Sequence, residues 1–302
     1  VISFRSFTKR YGSHDAVTGL DLEIHEGEIV ALLGPNGSGK TTSLKATAGL
    51  IRPSSGEVLV GQPLRPSWEP AARRALSFLP QRVVFPDALT GKEVLEFFRS
   101  LRGAPSARVD EVLRFASLNG SGSRPVGQYS GGMVQRLGLA VAMLPEAPIL
   151  LLDEPTAALD PEGLRAFYGL VERRREERRT IFFTSHHLGD VERLAQRFVV
   201  LVNGRLVASL SARELQGRLA ERGSMRVRLA AEVPGLLERV REIAPRARFD
   251  GPEIVVPSTA SLRPTVLDVI RDAGVEIRGL TAEEGRLDAL YAELVAEGEA
   301  NP

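Results

Sequence analysis

The stretch Gly34-Pro35-Asn36-Gly37-Ser38-Gly39-Lys40-Thr41 limits what this chain can fold into more than any other part of it. It fits the spacing G-x-x-x-x-G-K-[ST]. It stands between an apolar run, Ile29 to Leu33, and a helical pattern from Thr41 to Leu50. Strand, glycine-rich loop and helix in that order form the context of a phosphate-binding loop. The glycines let backbone N–H groups turn inward around phosphate oxygens. The helix N-terminus adds its dipole. Lys40 would reach the β- and γ-phosphates, Thr41 would ligate Mg²⁺, and Thr42 would complete the phosphate contacts. The expected fold class is therefore α/β, of the P-loop NTPase kind, with a nucleoside triphosphate and Mg²⁺ as the groups bound.

The rest of the first 210 residues agrees with this layering. Ile149 to Asp153 and Thr180 to Thr184 are continuous apolar runs of strand length, and Glu57 to Val60 is a shorter strand. Residues 91–146 read as helical, broken at Asn119 to Ser123. Pro161 opens a helix at its preferred first position. Asn203-Gly204 between Phe198–Val202 and Arg205–Ser209 signals a hairpin. With 302 residues, 39 Lys plus Arg and 38 Asp plus Glu, the net charge is +1, which argues against a dedicated nucleic-acid binder. The chain has no Cys, so disulfides, thiolate metal sites and Cys nucleophiles are excluded. No apolar run approaches the ~18–20 residues of a membrane span, and the first residues lack a secretory apolar region. A membrane role would need other chains to cross.

Ile149-Leu150-Leu151-Leu152-Asp153-Glu154 ends a buried strand with two carboxylates. At the C-terminal edge of a parallel sheet that is where ligands bind. Asp153 would hold Mg²⁺ through its water shell. Glu154 would face the γ-phosphate and orient or deprotonate the attacking water. Taken alone, the same pair could simply cap a helix.

Further motifs stand in a fixed order around these two. They are Tyr11, Gln81, Tyr129-Ser130-Gly131-Gly132-Met133, Ala158-Leu159-Asp160 and Thr184-Ser185-His186. In that order the chain resembles the ATP-binding cassette (ABC) ATPases over about residues 1–222. The resemblance implies a RecA-like core with antiparallel β and helical subdomains. It implies that Tyr11 stacks on adenine, that Gln81 approaches Mg²⁺ and the attacking water, and that His186 contacts the γ-phosphate. It also implies a homodimer of cassettes. In it, Ser130, Gly131 and Gly132 of one subunit would bind the γ-phosphate held by the other, and Asp160 would work across the contact. Two positions depart from the family signature, Tyr129 for Leu and Met133 for Gln. His187 beside His186 leaves the switch histidine to be settled by alignment, with the preceding Ser185 favouring His186.

Arg10-Tyr11-Gly12, Gly49 to Glu57 and Leu159-Asp160-Pro161 resemble ATPases of ABC-2-type exporters. The segment Phe85 to Glu93 also resembles the ATPase of the NosDFY system, which delivers copper or sulfur for nitrous oxide reductase maturation. The resemblance implies transmembrane permease subunits as partners, a periplasmic or accessory partner, and a place on the cytoplasmic side of the membrane. A non-transport ABC ATPase and a regulatory nucleotide switch are the alternatives. The segment from Gln81 to Thr90, apolar at Val83, Val84, Phe85, Pro86, Ala88 and Leu89, is expected to meet the membrane subunit, or else to be a buried connection.

The remainder has a different grammar. Residues 224–302 carry 10 Arg, no Lys and 14 acids. Their pattern reads β-α-β-β-α-β, a split ferredoxin-like order, followed by a helix from Glu283 to Ala296. The expected domains are 1–217, the cassette, and 224–302, an accessory α/β domain.

Overall fold

The computed structural model describes residues 1–231, 233–257 and 260–300. It divides into two compact units, Val1–Ser209 with the segment from Leu294 onward, and Leu210–Glu293. In the larger unit the elements run β1 (Ile2–Tyr11), β2 (His14–Ile24), β3 (Ile29–Leu33), α1 (Lys40–Thr47), β4 (Ser55–Val60), β5 (Arg65–Pro66), α2 (Pro70–Arg74) and β6 (Leu76–Leu79). They continue α3 (Gly91–Arg102), α4 (Ala107–Phe115), α5 (Gly131–Met143), β7 (Ile149–Asp153), α6 (Pro161–Glu176), β8 (Thr180–Thr184), α7 (Leu188–Leu194), β9 (Arg197–Val202) and β10 (Arg205–Ser211).

Two sheets share one core. The first is β2-β1-β4-β5 and antiparallel. The second is β10-β9-β3-β8-β7-β6, in which β9, β3, β8, β7 and β6 are parallel. All five residues of β3, of β7 and of β8 are buried, as expected of central strands covered on both faces. Ile2, Phe4 and Phe7 of β1 pack with Leu44 of α1 and Phe182 of β8 between the sheets. This sandwich holds the loop after β3 at the sheet edge where Asp153 ends β7.

Local chemistry sets the helix ends. Helix α1 stops short of the expected Leu50, because Gly49 turns left-handed (φ +68°) with its α-carbon against Ser67. The helical stretch 91–146 is three helices. Thr90 and Glu93 form a capping box before α3, and Gly103 (φ +66°) ends it.

In the smaller unit the elements are α8 (Ala212–Glu221), β11 (Ser224–Leu229), α9 (Leu236–Ile243), β12 (Arg248–Asp250), β13 (Glu253–Pro257), α10 (Arg263–Asp272), β14 (Ile277–Glu283) and the start of α11 (Leu287–Ala300). The order β-α-β-β-α-β is present, and the sheet runs β12-β13-β11-β14, antiparallel throughout. Met225, Val227, Ile254 and Val256 alternate toward Leu236 and Val240 of α9 and Val266 and Ile270 of α10.

The division falls at Leu210, a few residues before the expected cassette end at 217. Ser211 and Glu214 form a capping box that starts α8 directly after β10. The closing helix begins and ends later than the expected Glu283 to Ala296, because β14 runs on to Glu283. Glu283 pairs with Ser224, and Gly285 N–H then donates to Leu219 O (2.8 Å) before α11 begins.

Candidate nucleotide site

The loop after β3 depends on glycine at positions where nothing else fits. Gly34 has φ +153°, and a Cβ there would stand 2.2 Å from Leu201 O. Gly39 has φ +97°, and a Cβ there would stand 2.5 Å from Ala16 O. The loop is thus pressed onto its neighbours, and α1 begins at Lys40 with its first amides turned to the loop. Lys40 Nζ donates to Gly34 O (2.7 Å) and Pro35 O (3.0 Å). An ammonium has three donors, so one remains for a phosphate oxygen. Burial pushes the Lys40 pKa down, and the charges of Glu154 and Asp153 pull it back up. The buried Ser38 hydroxyl has no hydrogen-bond partner among the described residues, so the loop holds a polar atom that a ligand could satisfy.

The two carboxylates at the end of β7 are held differently. Asp153 is 1% exposed. Its Oδ1 accepts from the hydroxyls of Thr184 (2.7 Å) and Thr41 (3.2 Å). Burial still dominates and raises its pKa. Glu154 follows in the left-handed region (φ +48°), a conformation worth roughly 1–3 kcal/mol of strain for a residue with a Cβ. Its N–H donates to Thr184 Oγ1 (2.8 Å). The turn swings the Glu154 carboxylate out of the strand toward the loop. There Gln81 Nε2 donates to Glu154 Oε2 (2.9 Å), and His186 Nδ1 lies 3.3 Å from the same oxygen. His187 stacks on His186, with ring centroids 4.2 Å apart, and its N–H donates to Ser185 Oγ (3.0 Å). Of the two histidines, His186 is the one that meets Glu154.

A cleft of about 380 Å³ is lined by Tyr11, Asn36 to Thr42, Gln81 and Glu154, together with His14 and Ala16. Tyr11 ends β1 and is 48% exposed, with Lys9 Nζ 5.1 Å from its ring centroid. An exposed aromatic beside the phosphate loop is suited to stacking on a base. Thr41, Asp153 and Gln81 offer hydroxyl, carboxylate and amide oxygens, the hard donors that suit Mg²⁺ when phosphate and water supply the rest. A bound cation would favour the charge that burial disfavours on Asp153.

The remaining expected residues do not line this cleft. Ser130 caps α5, accepting from Met133 N–H (3.3 Å), and leaves Gly131 exposed in the first turn. Asp160 caps α6, accepting from Gly163 N–H (2.8 Å), and pairs with Arg136 of α5 (3.3 Å). Tyr129 fits through a compensation. Its hydroxyl donates to Ser121 O (2.8 Å) and occupies space beside Gly91, where any Cβ would lie 2.3 Å from it. His14 lies outside the sequence motifs, and Thr184 stands inside one without a role of its own. Thr184 was detectable only as the residue before Ser185-His186.

The fold and the cleft define a phosphate-loop nucleotide-binding protein. The chain belongs to the ATP-binding proteins of the ABC transporter family, whose pattern matches residues 17–157. It is 32% identical over 301 residues to the daunorubicin resistance ATP-binding protein DrrA3 of Streptomyces coeruleorubidus, covering 96% of this chain and 94% of that one. It is 38% identical over 212 residues to the Nod factor export ATP-binding protein I of Burkholderia orbicola (strain AU 1054), covering 68% and 69%. Among solved structures it is similar to the dimeric post-hydrolysis state of the ATP-binding cassette MJ0796 bound to ADP and Pi. The TM-score is 0.65 at 28% identity, over 70% of this chain and 99% of that one.

Proposed function

We propose that the chain is the ATP-hydrolysing motor subunit of an ABC exporter. The observation that carries this is the convergence of Gln81 and His186 on Glu154 at the rim of the phosphate-loop cleft. A carboxylate held by an amide donor and an imidazole, beside Lys40, is placed to orient water against a γ-phosphate. ATP would lie with its base on Tyr11 and its phosphates in the loop from Gly34 to Thr42. Bound Mg²⁺ would neutralise phosphate charge between Thr41, Asp153 and Gln81. Export as the direction rests on the names of the relatives, one for drug resistance and one for Nod factor export.

Two copies would form the working unit, as in the dimeric structure of the cassette MJ0796. The exposed first turn of α5, Ser130 to Gly132, is suited to receive the partner's γ-phosphate. Asp160 would act at the same contact. No helix among the described residues is long and apolar enough to cross a membrane, so transmembrane permease subunits would form the path, with this chain on their cytoplasmic side. Delivery of copper or sulfur for nitrous oxide reductase maturation, with a periplasmic or accessory partner, has only the likeness of Phe85 to Glu93 behind it. Among the described residues no group of three or more His, Cys, Asp or Glu could hold a metal. We read the smaller unit as a ferredoxin-like accessory domain.

Glu154→Gln tests the reading. It should bind ATP with unchanged affinity, hydrolyse it at least ~10²-fold more slowly, and accumulate as an ATP-bound dimer. Lys40→Ala should instead weaken ATP binding, measured by titration with a fluorescent nucleotide. Wild-type turnover in Glu154→Gln would remove Glu154 from the chemistry.

A further inference from the structure

Four residues beyond His186, α7 carries Asp190, which is 8% exposed. Asp190 Oδ2 accepts from the Thr156 hydroxyl (2.7 Å), and Oδ1 accepts from the Tyr168 hydroxyl of α6. Arg193, one turn further along α7, lies 4.0 Å over the Tyr168 ring centroid. A buried carboxylate on two hydroxyls is costly unless those bonds are kept, so α7 is fixed at this point to two other elements.

These contacts close a ring. Thr156 is two residues past Glu154, joined by a turn in which Ala157 N–H donates to Glu154 O (3.3 Å). Asp190 is joined to the histidines by a turn in which its N–H donates to His187 O (3.1 Å). The ring is completed where His186 Nδ1 meets Glu154 Oε2 at 3.3 Å. His186 is half exposed, and among the described residues its ring meets the Glu154 carboxylate and the His187 ring. We propose that Asp190, gripped by Thr156 and Tyr168, is the positioning residue that sets His186 against Glu154. Both its oxygens are already engaged by the Thr156 and Tyr168 hydroxyls, so it acts through position rather than by contact with nucleotide. A sub-ångström slip of a catalytic group costs rate rather than binding. The inference rests on Glu154 and His186 being the hydrolytic pair.

The test measures ATP hydrolysis by the full chain, with ATP affinity measured in parallel. Thr156→Val keeps the shape and removes the donor, so kcat should fall ~10-fold with KM for ATP within ~2-fold of wild type. Thr156→Ser restores the hydroxyl and should restore kcat. Asp190→Asn should lower kcat to a similar extent. Because both act through one contact, the double variant should be no slower than the slower single one. Glu154→Gln, assayed alongside, shows whether the underlying reading stands. If it is inactive while Thr156→Val and Asp190→Asn turn over at the wild-type rate, the positioning role is wrong. If Thr156→Val loses ATP affinity together with kcat, or Thr156→Ser fails to recover, the contact is merely structural and the proposal is again overturned. Wild-type turnover in Glu154→Gln would instead overturn the hydrolytic reading, and the positioning role with it.

Discussion

Asp153 sits where a charge is disfavoured, and the two hydroxyls that donate to it do not offset its burial. Its folded pKa is raised, so the protonated form is the one the fold favours. That contribution is full below the unfolded-chain pKa and is lost as pH rises through the folded pKa. At neutral pH the bare carboxylate therefore weakens the fold, a cost that a cation would relieve. Asparagine keeps an acceptor for Thr184 and Thr41 without the charge. Asp153→Asn should raise the melting temperature at pH 7 in the absence of nucleotide by about 2–4 °C, the shift that ~1 kcal/mol produces in a chain near this size. The gain should shrink as pH is lowered through the acidic range, and Mg²⁺-dependent hydrolysis should be lost. A lower melting temperature at pH 7 would mean that the hydroxyl bonds outweigh burial. Glu154, one residue on, stores strain in its left-handed backbone, so both acidic residues trade stability for the site, as functional residues commonly do.

Elements whose signal is local were legible in the sequence, and those that depend on distant partners were not. The runs forming β3, β7 and β8 are apolar through their interiors, as strands buried on both faces must be. Asn203 and Gly204 both adopt positive φ, 49° and 76°, as a two-residue hairpin loop requires. The phosphate loop was legible because its eight residues are contiguous. By contrast β1 and β2, the two longest strands, are interrupted by register shifts near Phe7 and by left-handed Ser6 and Gly19, which breaks the alternation that would reveal them. The roles of Thr184 and Asp190 escaped because their partners Asp153 and Thr156 lie 31 and 34 residues away. The connection from Gln81 to Thr90 shows the same mixture. Its apolar run could have been core, yet Val84 is 77% exposed. With Phe78, Val83, Phe85 and Phe98 it lines a groove of about 400 Å³. Phe85 itself is pinned edge-on to Phe98, with centroids 6.2 Å apart, so Val84 is the safer position to alter. Val84→Asp should leave ATP affinity and melting temperature unchanged but abolish copurification with the membrane subunit. Retained copurification would place the partner elsewhere.

At the scale of the whole molecule, every residue that we assign to nucleotide chemistry lies between Tyr11 and His186, inside the larger unit. The smaller unit has its own sheet and its own core of Met225, Val227, Ile254, Val266 and Ile270. The chain's last turns complicate a simple cut between the units. The segment from Leu294 onward counts with the larger unit. There Gly298 packs so closely that a Cβ would lie 2.6 Å from Val207 and 2.8 Å from Val202. Truncation after Gly217 removes this segment along with all of the smaller unit beyond the first part of α8, and uncovers β9 and β10. A second variant ending at Glu293 uncovers the same two strands and keeps the smaller unit, so the pair separates the effects. Both should lower the melting temperature through the lost packing on Val202 and Val207. Both should bind ATP within ~2-fold of the full chain, because the cleft is built from β1, the phosphate loop, Gln81 and Glu154. Only the shorter chain should show weaker dimerisation or altered basal hydrolysis, read by sedimentation and phosphate release. Loss of ATP binding by a folded chain ending at Gly217 would end the modular reading. Equal dimerisation and turnover in the two variants would assign the smaller unit to an external partner.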